Sequence, residues 1–172
     1  MDTITIPRSI YDAMVAHARE GFPNEVCGVI LGPPGQLREV HRASNAASDP
    51  LYSYDIDVQD LLRLNELADE RDWEFVAIYH SHPPFAEVYP SATDIAKAYY
   101  PRAIYIILAI GRVEVHLRER LRDPAQRAGL RQTLGDPQSM PPRMRAYRIN
   151  KADEFAREGR VEELQISVTP NA

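Results

Sequence analysis

Only one cysteine, Cys27, occurs in the 172 residues, so no intrachain disulfide can form and a disulfide-built secreted scaffold is excluded. Long hydrophobic runs are missing too. The longest, Ala103 to Ile110, is far too short to span a bilayer and reads as a buried strand, so no membrane role is expected. The amino-terminal stretch MDTITIPRSIYDA has no basic start followed by an apolar core; no signal peptide is read there, and a cytoplasmic protein is expected. Nor is there an excess of positive charge. Lys and Arg number 20 against 25 Asp and Glu, a formal charge of −5, which speaks against nucleic acid as a partner. Internal repeats and low-complexity segments are absent.

What is present is an ordinary globular composition, 44% hydrophobic, in a length that suits one domain over residues 1–172. The charge is uneven along it. From Arg118 to Arg148 eight arginines face only Glu119, Asp123 and Asp136, a net of +5, so the remainder carries −10. Such a run is a docking patch for an acidic partner or, more simply, a solvated surface.

Ile10, Met14, Val15 and Ala18 recur at helical spacing and predict a helix over Arg8 to Glu20, ended by Gly21. Glu25 to Leu31 is β-branched and apolar, and Gly32-Pro33-Pro34-Gly35 turns it into a second strand over Leu37 to Ala43. Tyr52 to Ile56 predicts a short strand. Asp57 then caps a helix running to about Arg71, with Leu61, Leu62, Leu64 and Leu67 as its core side. Glu74 to His80 is apolar on both faces and predicts a central strand covered on each side. After a Pro-rich loop, Ser91 starts a short helix that must stop before Pro101. Ala103 to Ala109 and Arg112 to Arg118 read as paired strands. Glu119 to Pro142 reads as an Arg-rich irregular insertion with at most a helical turn, and Met144 to Ile149 and Val161 to Val168 as the final strands. The sum is a mixed α/β domain in which strands outnumber helices.

The chemistry concentrates in His80-Ser81-His82-Pro83 and Ser91-Ala92-Thr93-Asp94. Residues i and i+2 of a strand face the same way, so His80 and His82 can converge on one ion from the strand end. Imidazole nitrogen is a preferred zinc donor, and Asp94, in the first turn of the next helix, can fold back as the third protein ligand. Three protein ligands leave the fourth position to water, which zinc would acidify to a pKa of about 7. Glu25, on a neighbouring strand, is placed to take the proton and pass it to a leaving amine, and Ser91 to hydrogen-bond a developing oxyanion. The bland alternatives are two surface histidines and, for Ser91 and Asp94, a helix capping box.

Glu25 in Pro23-Asn24-Glu25-Val26-Cys27-Gly28, followed by His80-Ser81-His82-Pro83 and Ser91-Ala92-Thr93-Asp94, resembles the JAMM or MPN-plus metalloprotease family, whose signature has these parts in this order. The resemblance covers about Ile4 to Ile110, with a weaker return at Arg145 to Val168. It implies a cytidine-deaminase-like fold, a central mixed β-sheet flanked by helices. It implies one zinc ion per chain on His80, His82 and Asp94, with Glu25 as general base and Ser91 stabilising the tetrahedral intermediate. Met14 to Arg19 and Tyr89-Pro90-Ser91 bring the likeness closer to small prokaryotic members, such as a bacterial peptidase that frees cysteine from a ubiquitin-like sulfur-carrier protein. The substrate so implied is a ubiquitin-like or sulfur-carrier protein cut after its C-terminal Gly-Gly, an extended tail that can lie along a strand edge. Two departures stand out: the gap from His82 to Asp94 is one residue longer than the commonest family spacing, and the stretch from Arg118 to Pro142 is longer than in compact bacterial members.

Other candidates weigh less. Cys27 inside an apolar strand reads as packing rather than as a nucleophile. His17, His41 and His116 lack partners at ligand spacing. A non-catalytic MPN module that only holds partners is the main alternative, and it would need the ligand residues lost. A zinc deaminase would need a Cys-x-x-Cys pair that one cysteine cannot supply.

Overall fold

The two stretches that read as buried strands lie side by side and parallel inside a seven-stranded mixed sheet. The computed structural model describes residues 2–113, 121, 123–127 and 129–170. Within them the order is β1 (Thr3–Pro7), α1 (Arg8–Gly21), β2 (Cys27–Gly32), β3 (Glu39–Ala43), α2 (Val58–Glu70), β4 (Glu74–His82), α3 (Ala92–Ala96), β5 (Ile104–Ile110), a 3₁₀ turn (Pro124–Arg127), α4 (Leu130–Leu134), β6 (Pro142–Lys151) and β7 (Gly159–Thr169). The strands are arranged β1-β7-β6-β5-β4-β2-β3, with β4–β5 and β1–β7 parallel and the other pairs antiparallel.

Each face of the sheet is closed by a helix. The apolar stripe of α1, Ile10, Met14, Val15 and Ala18, packs with Ile30, Tyr79, Ile106 and Leu108 on one face. On the other, Leu64 and Ala68 of α2 pack with Val29, Leu31, Ile78 and Tyr105. Burying each such leucine or isoleucine is worth about 1.5–3 kcal/mol. Strand alternation then puts His80 and His82 on the Ile78 side, with α2, and Tyr79 and Ser81 on the α1 side. Gly28 lets β2 approach Tyr79: a Cβ there would lie 2.4 Å from Tyr79 Cε1 and 2.5 Å from the His41 carbonyl.

The mixed sheet between helices is as expected, and so is the Asp57 cap, whose carboxylate accepts from the Gln59 and Asp60 amides. Several local expectations change. β4 runs two residues further, to His82, so both histidines belong to the regular strand. Glu25 and Val26 precede β2 rather than open it. Tyr52 to Ile56 is not a strand; a single bridge, Asn45 to Ile56, is all the pairing it makes. Leu62 is 54% exposed, because the buried stripe of α2 runs through Leu64 and Ala68, a hundred degrees per residue away from it. β1 is a strand that the sequence reading passes over: it is short, and its partner β7 lies at the far end of the chain. Arg112 and Val113 are not in a strand, and β5 pairs with β4 and β6; the rest of the strand expected over Arg112 to Arg118 lies outside the described residues, as does His116.

Candidate metal centre and active-site cleft

β4 places His80 level with the start of β2 and carries His82 past it. His80 pairs with Cys27 of β2 and Ile107 of β5, and His82 with Ala109 of β5. Both rings turn to the α2 side, where the loop after the strand returns Asp94. His80 Nε2 and His82 Nε2 lie 3.0 Å apart, and Asp94 presents one carboxylate oxygen to each, at 3.5 and 3.4 Å. All three side chains are buried, and their donor atoms fall within 4.8 Å of one another, a grouping able to hold a metal ion.

Local bonds aim these donors. His82 Nδ1–H donates to the Glu87 carbonyl at 2.7 Å, which directs the Nε2 lone pair inward. The His80 ring stacks on Tyr54 with centroids 4.2 Å apart, and its Nδ1 is buried without a hydrogen-bond partner. Ser91 caps α3: its Oγ accepts from the Asp94 amide at 3.1 Å, and its own amide donates to Asp94 Oδ2 at 2.7 Å. The capping box therefore does not compete with the ligand reading of Asp94. It clamps the carboxylate that faces the histidines.

Two ring nitrogens and a carboxylate at such distances favour a positive charge among them, whether a proton or a cation. Burial alone would raise the Asp94 carboxyl, yet His80, His82 and Ser91 outweigh it and hold the group well below the ordinary carboxylate range. Burial likewise opposes charge on His82, but Asp94, Glu25 and the Glu87 carbonyl raise its pKa above the ordinary value. His80 is pushed down by burial in spite of Asp94. Two imidazoles and a carboxylate are the donor set that zinc favours, and the residues present fit that ion.

Glu25 joins the centre from the other side. Glu25 is 6% exposed, and burial, with Asp94 adding to it and His82 opposing, raises its pKa to about 8. The backbone around it is held by long-range bonds. Its amide donates to the Pro50 carbonyl at 2.7 Å, and its carbonyl accepts from Asn45 Nδ2 at 2.9 Å. Val26 bonds Ser81 twice, its amide to Ser81 Oγ and its carbonyl from the Ser81 amide, both at 2.9 Å. Ser81, between the two histidines, thus staples the Glu25 segment to β4.

A cleft of about 390 Å³ opens over these groups, lined by Glu25, His82, Ser91 and Asp94 together with Tyr52, Phe85 and Tyr89. Its floor loop, 83–90, is tied by its carbonyls. Pro84 accepts from the Val113 amide at 3.0 Å, Ala86 from Arg143 at 3.2 Å, Glu87 from His82, and Val88 from the Tyr147 hydroxyl. A larger cavity of about 930 Å³ lies beyond residues 49–51 and contains none of the metal-centre residues.

Asn45, Tyr54, Ser81, Arg143 and Tyr147 escaped the sequence reading because their partners are distant in sequence. Ser81 alone carried a signal, its place between two candidate ligands. Cys27 is fully buried, and burial pushes its thiol up to about 12, consistent with packing. His17 bonds Tyr79, and His41 faces Glu39. Four arginines of the basic stretch are engaged within the chain: Arg127 with Asp49, Arg143 with backbone carbonyls, Arg145 with Glu163 and Arg148 with Asp2.

Residues 7–122 match the model of the prokaryotic homologues of the JAB domain, and the chain belongs to that family, as its likeness to JAMM proteins led one to expect. Individual relatives lie within reach of ordinary sequence comparison. The chain is 36% identical over 112 residues to desampylase of Haloferax volcanii, spanning 61% of this chain and 80% of that one. It is 37% identical over 108 residues to CysO-cysteine peptidase of Mycobacterium tuberculosis, spanning 62% and 73%. The solution structure of a Desulfitobacterium hafniense protein shares the fold, with a TM-score of 0.65 at 23% identity over 98% of this chain and 94% of that one.

Proposed function

We propose that the chain is a zinc-dependent peptidase or isopeptidase that hydrolyses the bond after the C-terminal Gly-Gly of a ubiquitin-like or sulfur-carrier protein. The observation that carries this reading is the convergence of His80, His82 and Asp94 within 4.8 Å, in a cleft that Glu25 also lines. The relatives named for desampylase and CysO-cysteine peptidase activity support it.

His80, His82 and Asp94 would hold one zinc ion, which when bound supplies Lewis-acid polarisation and acidifies water. The remaining work falls to the chain's own groups. Glu25, desolvated and close to neutral in pKa, takes a proton from the attacking water and returns it to the departing amine. A nearby dication favours its ionised, basic form. The Ser91 hydroxyl accepts from the Asp94 amide through its oxygen, so its own O–H is left to donate to the carbonyl oxygen of the substrate as charge develops there. Tyr52, Phe85 and Tyr89 line the cleft with rings, which would favour a tail without side chains.

The test is incubation of the zinc-loaded chain with a panel of Gly-Gly-ended carrier proteins, some loaded with amino acids and some conjugated to lysine, read by mass spectrometry. The expected result is release at the Gly-Gly carboxyl, abolished in Glu25→Ala while that variant keeps its zinc. Intact conjugates across the panel, or full activity in Glu25→Ala, would overturn the reading.

A further inference from the structure

We infer that Arg127 is a positioning residue, which holds the base side of the cleft from the segment between β5 and β6; this rests on the hydrolase reading above. Each of its three guanidinium nitrogens donates a hydrogen bond. Nη1 and Nη2 donate to the two carboxylate oxygens of Asp49 at 2.8 and 3.0 Å, and Nε donates to the Leu121 carbonyl at 2.7 Å. The same guanidinium lies 5.2 Å from the centroid of the Tyr52 ring. A bidentate pair with a third bond and a ring face fixes the planar group in one orientation.

Asp49 is the root of the loop that borders Glu25. Its carbonyl accepts from the Tyr52 and Ser53 amides, both at 3.1 Å, and its carboxylate also accepts from the Leu51 amide at 3.3 Å. The next residue, Pro50, accepts the Glu25 amide at 2.7 Å. Asn45 Nδ2 bridges the Glu25 and Ser53 carbonyls at 2.9 and 3.0 Å. Tyr52 itself packs against Phe85, and both rings line the cleft. Arg127 therefore reaches the base through Asp49 and Pro50, and the cleft wall through Tyr52, without touching the reacting atoms. A residue that reads in the sequence as one of a surface run of positive charge is a strut between a distant segment and the catalytic loop.

The test uses the full chain and two readouts. In Arg127→Ala, amide hydrogen exchange at Glu25, Tyr52 and Ser53 should quicken about tenfold or more, with Ile106 of β5 unchanged as the internal reference. On a conjugate the wild type cleaves, kcat should fall about 10- to 100-fold at retained zinc content, since small misplacements of catalytic groups cost that much. Arg127→Lys should recover part of the loss, because lysine can reach Asp49 but cannot make the paired bonds. Asp49→Ala should also quicken exchange at Glu25 and lower kcat, and the double variant should lose clearly less than the sum of the two, as expected for residues that share the Arg127–Asp49 contact. Arg131→Ala, on the same segment, should leave kcat unchanged. Unaltered exchange, an unaltered kcat, or additive losses in the double variant would each overturn the inference. If the wild type cleaves no conjugate, the hydrolase reading falls, and the exchange data still decide whether Arg127 sets the loop.

Discussion

The two sides of the cleft are built by different means. On the side of the candidate metal ligands, β4 is paired on both edges at His80 and with β5 at His82, and Asp94 is held by the cap of the helix it sits in. Asp94 is placed by a residue three positions away, and the two histidines by the alternation and pairing of a regular strand. On the side of the proposed base, Glu25 lies outside any strand and is held by Pro50, Asn45 and, through Val26, by Ser81. A residue set by regular secondary structure inherits its geometry, whereas one set by loops depends on contacts closed late in sequence distance.

Removing one side should leave the other standing, and the largest effect belongs to the ligand side. Asp94→Ala should lose zinc and all turnover above background, by metal analysis and conjugate cleavage, while the far-ultraviolet circular dichroism stays that of the wild type. Retained zinc would show that the histidines suffice and that Asp94 only caps α3.

The base side should answer differently. In the metal-free chain, Glu25 moves from an ordinary 4.5 to about 8, so the folded form keeps a proton that the unfolded form has lost. Stability tied to this group is then fully present below about pH 4.5 and falls as pH rises toward 8. Glu25→Gln removes that titration. Its melting temperature, taken without metal, should match the wild type near pH 4.5 and exceed it by about 3 °C or more near pH 9. An equal gain at both values would place the cause in packing rather than in charge.

The smallest effect sharpens the joint between the sides. Ser81→Ala leaves the Val26 amide without its acceptor, at a cost of about 1–3 kcal/mol. Chemical denaturation should show that loss, and kcat should drop while zinc content holds. Unchanged kcat would mean that the Glu25 segment keeps its place without the staple.

What could be read early and what could not divides along the same line. The strand alternation that turns both histidines one way, and the Ser91-to-Asp94 spacing of a capping box, are short-range rules, so the donor trio was legible. The apolar stretches of β4 and β5 announced the buried centre of the sheet for the same reason. Glu25 was singled out, but as a strand residue; its true support comes from Pro50 and Asn45, in the loop just before the stretch expected as a strand at Tyr52 to Ile56. Leu62 was assigned to the core by its type, yet it lies two residues, roughly 200°, from Leu64 around the helix and so faces solvent. The basic stretch read as a patch because a sequence counts charges without their partners, and four of its arginines find theirs inside the chain.

Composition and spacing by themselves determined the class of fold and singled out His80, His82 and Asp94 as a candidate donor trio, because helix and strand periodicity act over a few residues. Tertiary structure alone decided where Glu25 stands relative to those donors, how far it is stripped of water, and which arginines are already spoken for. Those depend on pairings such as Val26 with Ser81 and Asp49 with Arg127, separated by 55 and 78 positions, whose closure no local rule encodes.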